Sequence, residues 1–572
     1  MHPLIRNTPV RLSLIALTLA ALFGCEPAPS TTTEATTPTA TITTAATKPW
    51  WQDAVFYQIW PRSFADSNSD GAGDFNGIKA KLPYLADLGV DALWLTPMFE
   101  APSYHGYDFT EFYAVEQDYG TLMDFKSLVA DAKAKNIRII LDLVINHISD
   151  QHVWFKQSAA GVEPYKDYFI WRKDLPTEGW GPAWDKTKTD PKAVWHYNAQ
   201  RQEYYYAAFG ASQPDLNLKH PDVVQEMKNM AKFWLETGVA GFRLDAVRYA
   251  IENGPGEQAD TAETIAYWKD FSSYVRSLQP DVMLVGEAWA DLPVAAKYYG
   301  EGQALDAGFD FEFGYKVLEL LQSQGGVKAE FGTMQQQTSD KGELLQANYA
   351  ARASAGAPMG YFSPFLTNHD QPRLGWQLQG NQAKAKLAAA MLLSSPGSTY
   401  MYYGEEIGMT QASDAEHIQR RAPMLWQNVP QAGFTSAAKS WVESADLFPP
   451  QQGTQWWQPF LQSQLNKKLT VAEQQTDAKS LWSLYKYLIG QKHQRPEFGV
   501  AGTYQATPLA DGKLLQIVRE LNGSRSVLLL NLSDETQAIP ETILKDRKLQ
   551  PGWLETEASD QLPAWQVRTW QN

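Results

Sequence analysis

Cysteine is almost absent. Cys25 is the only one in 572 residues, so no intrachain disulfide framework can hold this fold. Long apolar runs are scarce too: the N-terminal run from Leu12 to Phe23 is too short to span a bilayer as a helix. Basic charge is also in deficit, with 49 Lys and Arg against 64 Asp and Glu and a formal net charge of −15. Neutralising a phosphate backbone requires clustered Lys and Arg, so nucleic acid is excluded as a partner class. No internal repeat is evident. What remains is a chain with 44% hydrophobic content, enough for a large core and, at this length, more than one domain.

Arg6 and Arg11 ahead of the short apolar run have the build of an export signal, predicted to occupy residues 1–24 and to be removed. Leu22-Phe23-Gly24-Cys25 resembles a bacterial lipobox, in which the cysteine becomes the acylated first residue, although Phe23 stands where a small residue is usual. The competing reading is an ordinary signal peptide with a chance Cys25. Several acyl chains would make a lasting anchor, at about 0.8 kcal/mol per buried methylene. Losing two arginines and no acid takes the formal charge from −15 to −17, which favours solubility. Residues 25–48 are mainly Thr, Ala, Pro and Ser, too poor in large apolar side chains to order, and read as a tether. The expected location is outside the cytoplasm, on a bacterial membrane facing periplasm or cell surface, with the N-terminal lipid as the only membrane contact and no protein partner implied.

From Trp50 onward, short apolar strands alternate with helical patterns. The strands are Val55–Trp60, Ala92–Leu95, Ile137–Val144, Gly241–Asp245, Met283–Glu287, Gly308–Phe311, Phe362–Thr367 and Thr399–Tyr403. Between them, Val223–Glu236 repeats apolar residues at helical spacing. Eight such strands predict an α/β fold, a (β/α)8 barrel, with an open doubly wound sheet as its competitor. Residues 148–217 are long, aromatic and turn-rich, and are predicted to form an inserted small domain after the third strand; the barrel then takes 49–147 and 218–497. Polar and apolar residues alternate in the tail, which predicts a C-terminal antiparallel β-domain over 498–572.

In such a barrel the C-terminal strand ends converge on the reaction site. The polar residues there are Asp142, Asn146 and His147, then Arg243 and Asp245, then Glu287, then Asn368, His369 and Asp370. Each acid alone reads equally well as a strand-end residue capping the next helix. Several together would repel one another unless used, and glycosidic cleavage uses them: one carboxylate attacks, another donates a proton, and a cationic sugar lies between.

Asp142-Leu143-Val144-Ile145-Asn146-His147, Gly241-Phe242-Arg243-Leu244-Asp245-Ala246-Val247, Gly286-Glu287-Ala288-Trp289 and Phe365-Leu366-Thr367-Asn368-His369-Asp370 resemble, in order, the four signature segments of the α-amylase family of glycoside hydrolases. Gln213-Pro214-Asp215-Leu216-Asn217 resembles its fifth. The resemblance implies that Asp245 is the nucleophile, Glu287 the general acid/base and Asp370 the third acid, with Arg243 beside the nucleophile. It also implies that His147 and His369 bind the glucose just before the scissile bond, that Tyr107 is a stacking platform, and that Asp108 and Arg421 bind the non-reducing glucose in oligosaccharide-acting branches.

Asp66, Asn68, Asp70 and Asp74 place oxygen ligands along one Gly/Asp-rich loop, as a hard cation favours. Gly77 stands where an EF-hand needs Glu, so the loop is not one. The resemblance implies a structural Ca²⁺ here; the alternative is a turn with no ion.

The expected function is retaining hydrolysis of α-1,4-glucosidic bonds in starch-derived malto-oligosaccharides or other α-glucans, of α-amylase type. Ala246 after the nucleophile, where relatives specialised for α-1,6 bonds tend to carry Val, favours α-1,4 linkages. The fifth segment points instead toward oligosaccharide α-glucosidases, so an exo-acting α-glucosidase, an oligo-1,6-glucosidase and a trehalose-forming transglycosylase or isomerase stay open. A non-catalytic sugar-binding lipoprotein is the alternative of a different class.

Overall fold

The computed structural model describes residues 48–182, 185, 187–322, 343–444, 454–545, 550–551 and 559–572. The export signal, Cys25 and all but the last residue of the tether lie outside them. Among the described residues no helix is long and apolar enough to cross a membrane.

In chain order the strands begin with β1 (Val55–Ile59), β2 (Ala92–Leu95) and β3 (Arg138–Leu143). β4 (Trp171–Arg172), β5 (Trp195–Asn198) and β6 (Glu203–Tyr206) follow. Next come β7 (Gly241–Leu244), β8 (Met283–Gly286), β9 (Ala307–Asp310), β10 (Phe362–Pro364) and β11 (Thr399–Tyr402). The tail holds β12 (Thr503–Leu509), β13 (Leu514–Leu521), β14 (Ser524–Asn531), β15 (Gln537–Ala538), β16 (Gln550–Pro551), β17 (Gln561–Leu562) and β18 (Val567–Gln571).

Eight strands form one parallel sheet in the order β10-β9-β8-β7-β3-β2-β1-β11, and a parallel bridge from Phe365 to Tyr400 brings its ends together. This is a (β/α)8 barrel, not an open sheet. The pleat sorts its side chains. Phe56, Trp94, Ile140, Met283, Val285, Phe309 and Tyr400 fill the interior, while Val55, Tyr57, Leu93, Leu141, Phe242 and Leu284 join the outer core under the helices. Gly241 is required where β7 meets β8, since a Cβ there would lie 2.0 Å from the Met283 carbonyl oxygen.

β4, β5 and β6 form a three-stranded sheet over an aromatic cluster of Trp180, Trp195 and Tyr206. Its two ends are tied at the barrel: His147 bridges Asp215, Leu216 N–H donates to Asn146 O at 2.9 Å, and Asn146 Nδ2 donates to the buried Asp215 carboxylate at 2.8 Å. In the tail, β12-β13-β14-β18-β16 make an antiparallel sheet, so the C-terminal β-structure is as predicted in kind. Pro49–Asn572 forms one compact unit.

Candidate active site

The pleat that sorts the barrel interior also selects the reactive side chains. Asp142 follows Ile140 by two residues on β3, Arg243 follows Gly241 on β7, and Glu287 follows Val285 at the end of β8. All continue the inward file at the C-terminal mouth.

Arg243 is the hub of this cluster, and its side chain is 1% exposed. Its Nη1 donates to Asp142 Oδ1 at 2.7 Å and to Asp245 Oδ1 at 2.6 Å, while its Nη2 lies 2.8 Å from Glu287 Oε1. The Trp94 ring lies 5.2 Å from the guanidinium and its Nε1–H donates to Asp142 Oδ2 at 3.2 Å. One cation among three carboxylates leaves the pocket short of positive charge. Burial pushes Glu287 up to about 8, Arg243 working against it and Asp245 and Asp370 with it. Asp142 is raised by burial as well, against Arg243. A retained proton sits better on Glu287, because Asp142 already accepts from Arg243, Trp94 and Tyr107, all of which favour its carboxylate form.

Asp370 has the opposite environment. Burial opposes its charge, but the His369 ring and the guanidiniums of Arg421 and Arg243 outweigh burial and hold the carboxyl well below the usual range. Arg421 Nη2 donates to Asp370 Oδ1 at 2.9 Å, and His369 Nε2 lies 3.0 Å from Oδ2. Gln58 Nε2 sits 2.6 Å from His369 Nδ1. With the amide donating there, the ring proton belongs on Nε2, which lies between Asp370 Oδ2 and the Tyr107 hydroxyl, the latter 2.6 Å away. Two acids are thus pushed in opposite directions at one mouth, the arrangement that separates a proton donor from a permanent anion.

Backbone strain marks the same place. Ala246, directly after Asp245, has φ 50° and ψ 35°, and its N–H donates to Glu287 Oε2 at 3.2 Å. A non-glycine residue in that conformation costs of order 1 kcal/mol and persists where surroundings impose it.

Asp245, Glu287, Asp370, Tyr107, His147 and Arg421 line one cavity of about 430 Å³. Arg243 and His369 stand behind its wall and act on it through their partners. Asp108 is not brought to the surface of this cavity: it is buried, accepts from Ser103 Oγ, and lies 3.8 Å from His105 Nδ1. Further walls come from residues that the sequence did not single out. Phe209, Tyr249 and Trp289 supply apolar faces and Gln213 Nε2 sits 3.1 Å from His147 Nε2. Arg248 is clamped by Asp260 at 2.6 Å while donating to the Trp289 carbonyl at 2.6 Å. Gln213 and Trp289 do lie inside recognised segments, Gln213 opening the fifth and Trp289 two residues after Glu287; Phe209 and Tyr249 carry no comparable signal.

Asp66, Asn68, Asp70 and Asp74 lie on the loop after β1. Their oxygens suit a hard cation in kind, yet Asp66 Oδ1 accepts from Asn68 and Ser69 N–H, Asp66 Oδ2 from Gly71 N–H, and Asp74 Oδ1 caps the helix Phe75–Ala80 through Gly77 N–H at 2.6 Å. Among the described residues no group of three or more His, Cys, Asp or Glu is arranged to hold a metal.

Residues 58–498 match the model of the α-amylase catalytic domain. The chain belongs to the α-amylase family of glycoside hydrolases. This family member is 40% identical over 380 residues to an enzyme named α-amylase 3 of Dictyoglomus thermophilum, covering 66% of this chain and 68% of that one. It is 29% identical over 583 residues to the oligo-1,6-glucosidase of Parageobacillus thermoglucosidasius, covering 91% and 98%. Among solved structures, the trehalose-6-phosphate hydrolase of Bacillus licheniformis superposes with a TM-score of 0.74 at 25% identity, covering 92% of this chain and all of that one. The α-amylase-family cluster described above therefore belongs to an enzyme acting on O-glycosyl bonds, not to a non-catalytic sugar-binding protein.

Proposed function

We propose that the protein hydrolyses α-1,4-glucosidic bonds of malto-oligosaccharides and related α-glucans with retention of configuration. The observation that carries this reading is the single Arg243 guanidinium holding one oxygen of Asp245 and one of Glu287 at 2.6 and 2.8 Å. Asp245 attacks the anomeric carbon as the glycosidic C–O bond breaks and Glu287 passes its proton to the departing oxygen. Glu287, now a carboxylate, takes a proton from water, whose oxygen displaces Asp245 from the same carbon. Two inversions give net retention. Asp370, kept anionic by His369 and Arg421, accepts hydroxyl hydrogen bonds from the sugar and stabilises the positive charge that develops on it.

Ala246 supports the α-1,4 assignment, and the relative named α-amylase 3 agrees with it. The relative named oligo-1,6-glucosidase, matched over almost its whole length, favours a second reading, an exo-acting glucosidase. One incubation separates these: purified protein with an end-blocked malto-oligosaccharide, free maltotriose, isomaltose, maltose and trehalose. Cleavage of the blocked substrate is expected. Glucose from short free substrates alone would establish the exo reading, glucose from isomaltose the 1,6 reading, and interconversion of maltose and trehalose the isomerase.

The loop from Asp66 to Asp74 is proposed, on donor chemistry, to hold a structural Ca²⁺ through Asp66, Asn68, Asp70 and Asp74 after their side chains turn from the backbone amides they now accept from. Chelation is expected to lower the melting temperature by several degrees at unchanged pH, and an unmoved transition would reject the ion. Export and acylation at Cys25 are proposed on the sequence alone, and radiolabelled fatty acid incorporation lost in Cys25→Ser tests them.

A further inference from the structure

A second hollow lies beyond the loop that carries Asp370. It has a volume of about 900 Å³, and Trp376, Trp456, Phe460, Gln379, Asp414 and Lys467 are among its lining residues. None of them lines the cavity that holds Asp245 and Glu287.

Two indoles stand in its lining. Trp376 is 38% exposed, one of few large apolar side chains left open to solvent. It sits on the short helix Leu374–Gln377, and Gly375 lets that helix abut the neighbouring backbone: a Cβ there would lie 2.6 Å from the Met409 carbonyl oxygen. Trp456 is half-buried and leans on Phe460 with ring centres 6.0 Å apart, so its ring is braced rather than loose. An exposed indole on a fixed backbone offers a large apolar face at little entropic cost, and such faces mark binding sites.

Beside Pro372, Ala412 and Pro459, the remaining side chains of the lining are amide, hydroxyl and charge. Gln411 Nε2 donates to Asp414 Oδ1 at 3.1 Å and Arg420 Nη2 to the same oxygen at 2.9 Å, which fixes that carboxylate at the rim. Arg420 also donates to the Asp370 carbonyl oxygen. The rim is therefore joined to the catalytic loop through one buried arginine. Indole faces beside neutral amides and one fixed carboxylate match a pyranose, whose C–H face stacks on an aromatic ring while its hydroxyls hydrogen-bond sideways. Two indole faces with charged Asp414 and Lys467 beside them suit a hydroxyl-rich sugar chain better than a lipid tail, whose binding would desolvate those charges without pairing them.

We propose that this recess is a second, non-catalytic binding site for an α-glucan chain, with Trp376 as its main stacking platform and Trp456 as the second. Its ligand class rests on the functional reading given above, while its geometry does not. Occupancy would hold a long substrate beside the cleft and lower the concentration needed for its cleavage, with no effect on substrates too short to reach.

The test uses the full chain in an Asp245→Asn background, titrated calorimetrically with maltoheptaose. Two sites per chain are expected, falling to one when Trp376→Ala is added. With Asp245 intact, Trp376→Ala is expected to raise KM on soluble amylose about tenfold, with kcat on amylose and kcat/KM on maltotriose within twofold of the parent; Trp456→Ala should act in the same direction. One site in both titrations, or equal KM on amylose, overturns the proposal. If Trp376-dependent binding persists while no α-glucan is hydrolysed, the recess stands and the catalytic reading falls; hydrolysis with a single Trp376-independent site gives the reverse.

Discussion

Arg243 at the barrel mouth and Arg519 at the seam with the C-terminal sheet are buried to the same degree, 1% and 0% exposed, yet have opposite surroundings. Arg243 faces Asp142, Asp245 and Glu287, whose charges outweigh its burial and raise its pKa further above the ordinary arginine value. Arg519 gives its donors to backbone carbonyls, at 2.8 Å to Thr503, 3.0 Å to Phe498 and 2.6 Å to Gly499, with Ser394 as a fourth, and burial pushes it down to about 10. Burial alone therefore does not mark a reactive site. A charge whose partners are themselves charged and open to a cavity is poised for chemistry; one sunk among carbonyls fastens the C-terminal sheet to the end of the helix Gln382–Ser394 and to the segment before β12.

The sharpest break of this comparison is a paired substitution. Arg243→Met leaves acids without their cation; breaking such a buried pair costs about 3–5 kcal/mol, and turnover is expected to fall roughly 10³-fold or more, since positioning and charge go together. Arg519→Met is expected to lower the melting temperature through carbonyls left without donors, at about 1–3 kcal/mol, while turnover below the transition stays within twofold. Unfolding scans and initial rates on both variants check this, and lost turnover in Arg519→Met at intact fold would erase the distinction.

A smaller effect concerns pH. Burial pushes Glu287 up to about 8, and the acid must be protonated to act, so kcat/KM is expected to fall tenfold per pH unit above about 8. Residual activity of Glu287→Gln on a substrate with an activated leaving group should lack that limb. The smallest effect lies just beyond β11, where burial pushes Glu405, bonded by Tyr485 of the helix Leu481–Gln494, up to about 8 from an ordinary 4.5. The folded chain keeps this proton through a range where the unfolded chain has released it, so stability falls as pH rises from about 4.5 to 8. Glu405→Gln should flatten that fall in melting temperature without moving the pH profile of kcat/KM.

Much of the barrel was readable because short continuous apolar runs, buried on both faces, alternate with helical patterns: β2 is buried at all four positions and occupies the predicted residues, Ala92–Leu95. The errors have local causes. Phe311 opens a helix instead of ending a strand because Asp310 accepts from Phe313 N–H at 3.0 Å and caps it. β10 stops at Pro364, short of the predicted Thr367, because Pro364 brings no ladder donor. At the site, Asp142, Arg243, Asp245 and Glu287 were legible because strand parity fixes their direction. Asp108 sits in a loop, where a motif gives identity but not direction, and it faces Ser103 and His105 behind the wall. Phe209 lies in a loop and Tyr249 and Trp376 on single short helical turns, too brief to carry a periodic signal, so where they meet is a property of the tertiary structure.

The central claim is that Asp245 forms the covalent bond and Glu287 serves both proton transfers. Glu287→Gln given α-glucosyl fluoride tests it directly, since fluoride leaves without a proton while the second step has lost its base. Acid quench and peptide mass spectrometry are predicted to find a glucosyl residue on the peptide carrying Asp245, absent when Asp245→Asn is added. A glucosyl residue on any other side chain, or hydrolysis at the parent rate, would contradict the account.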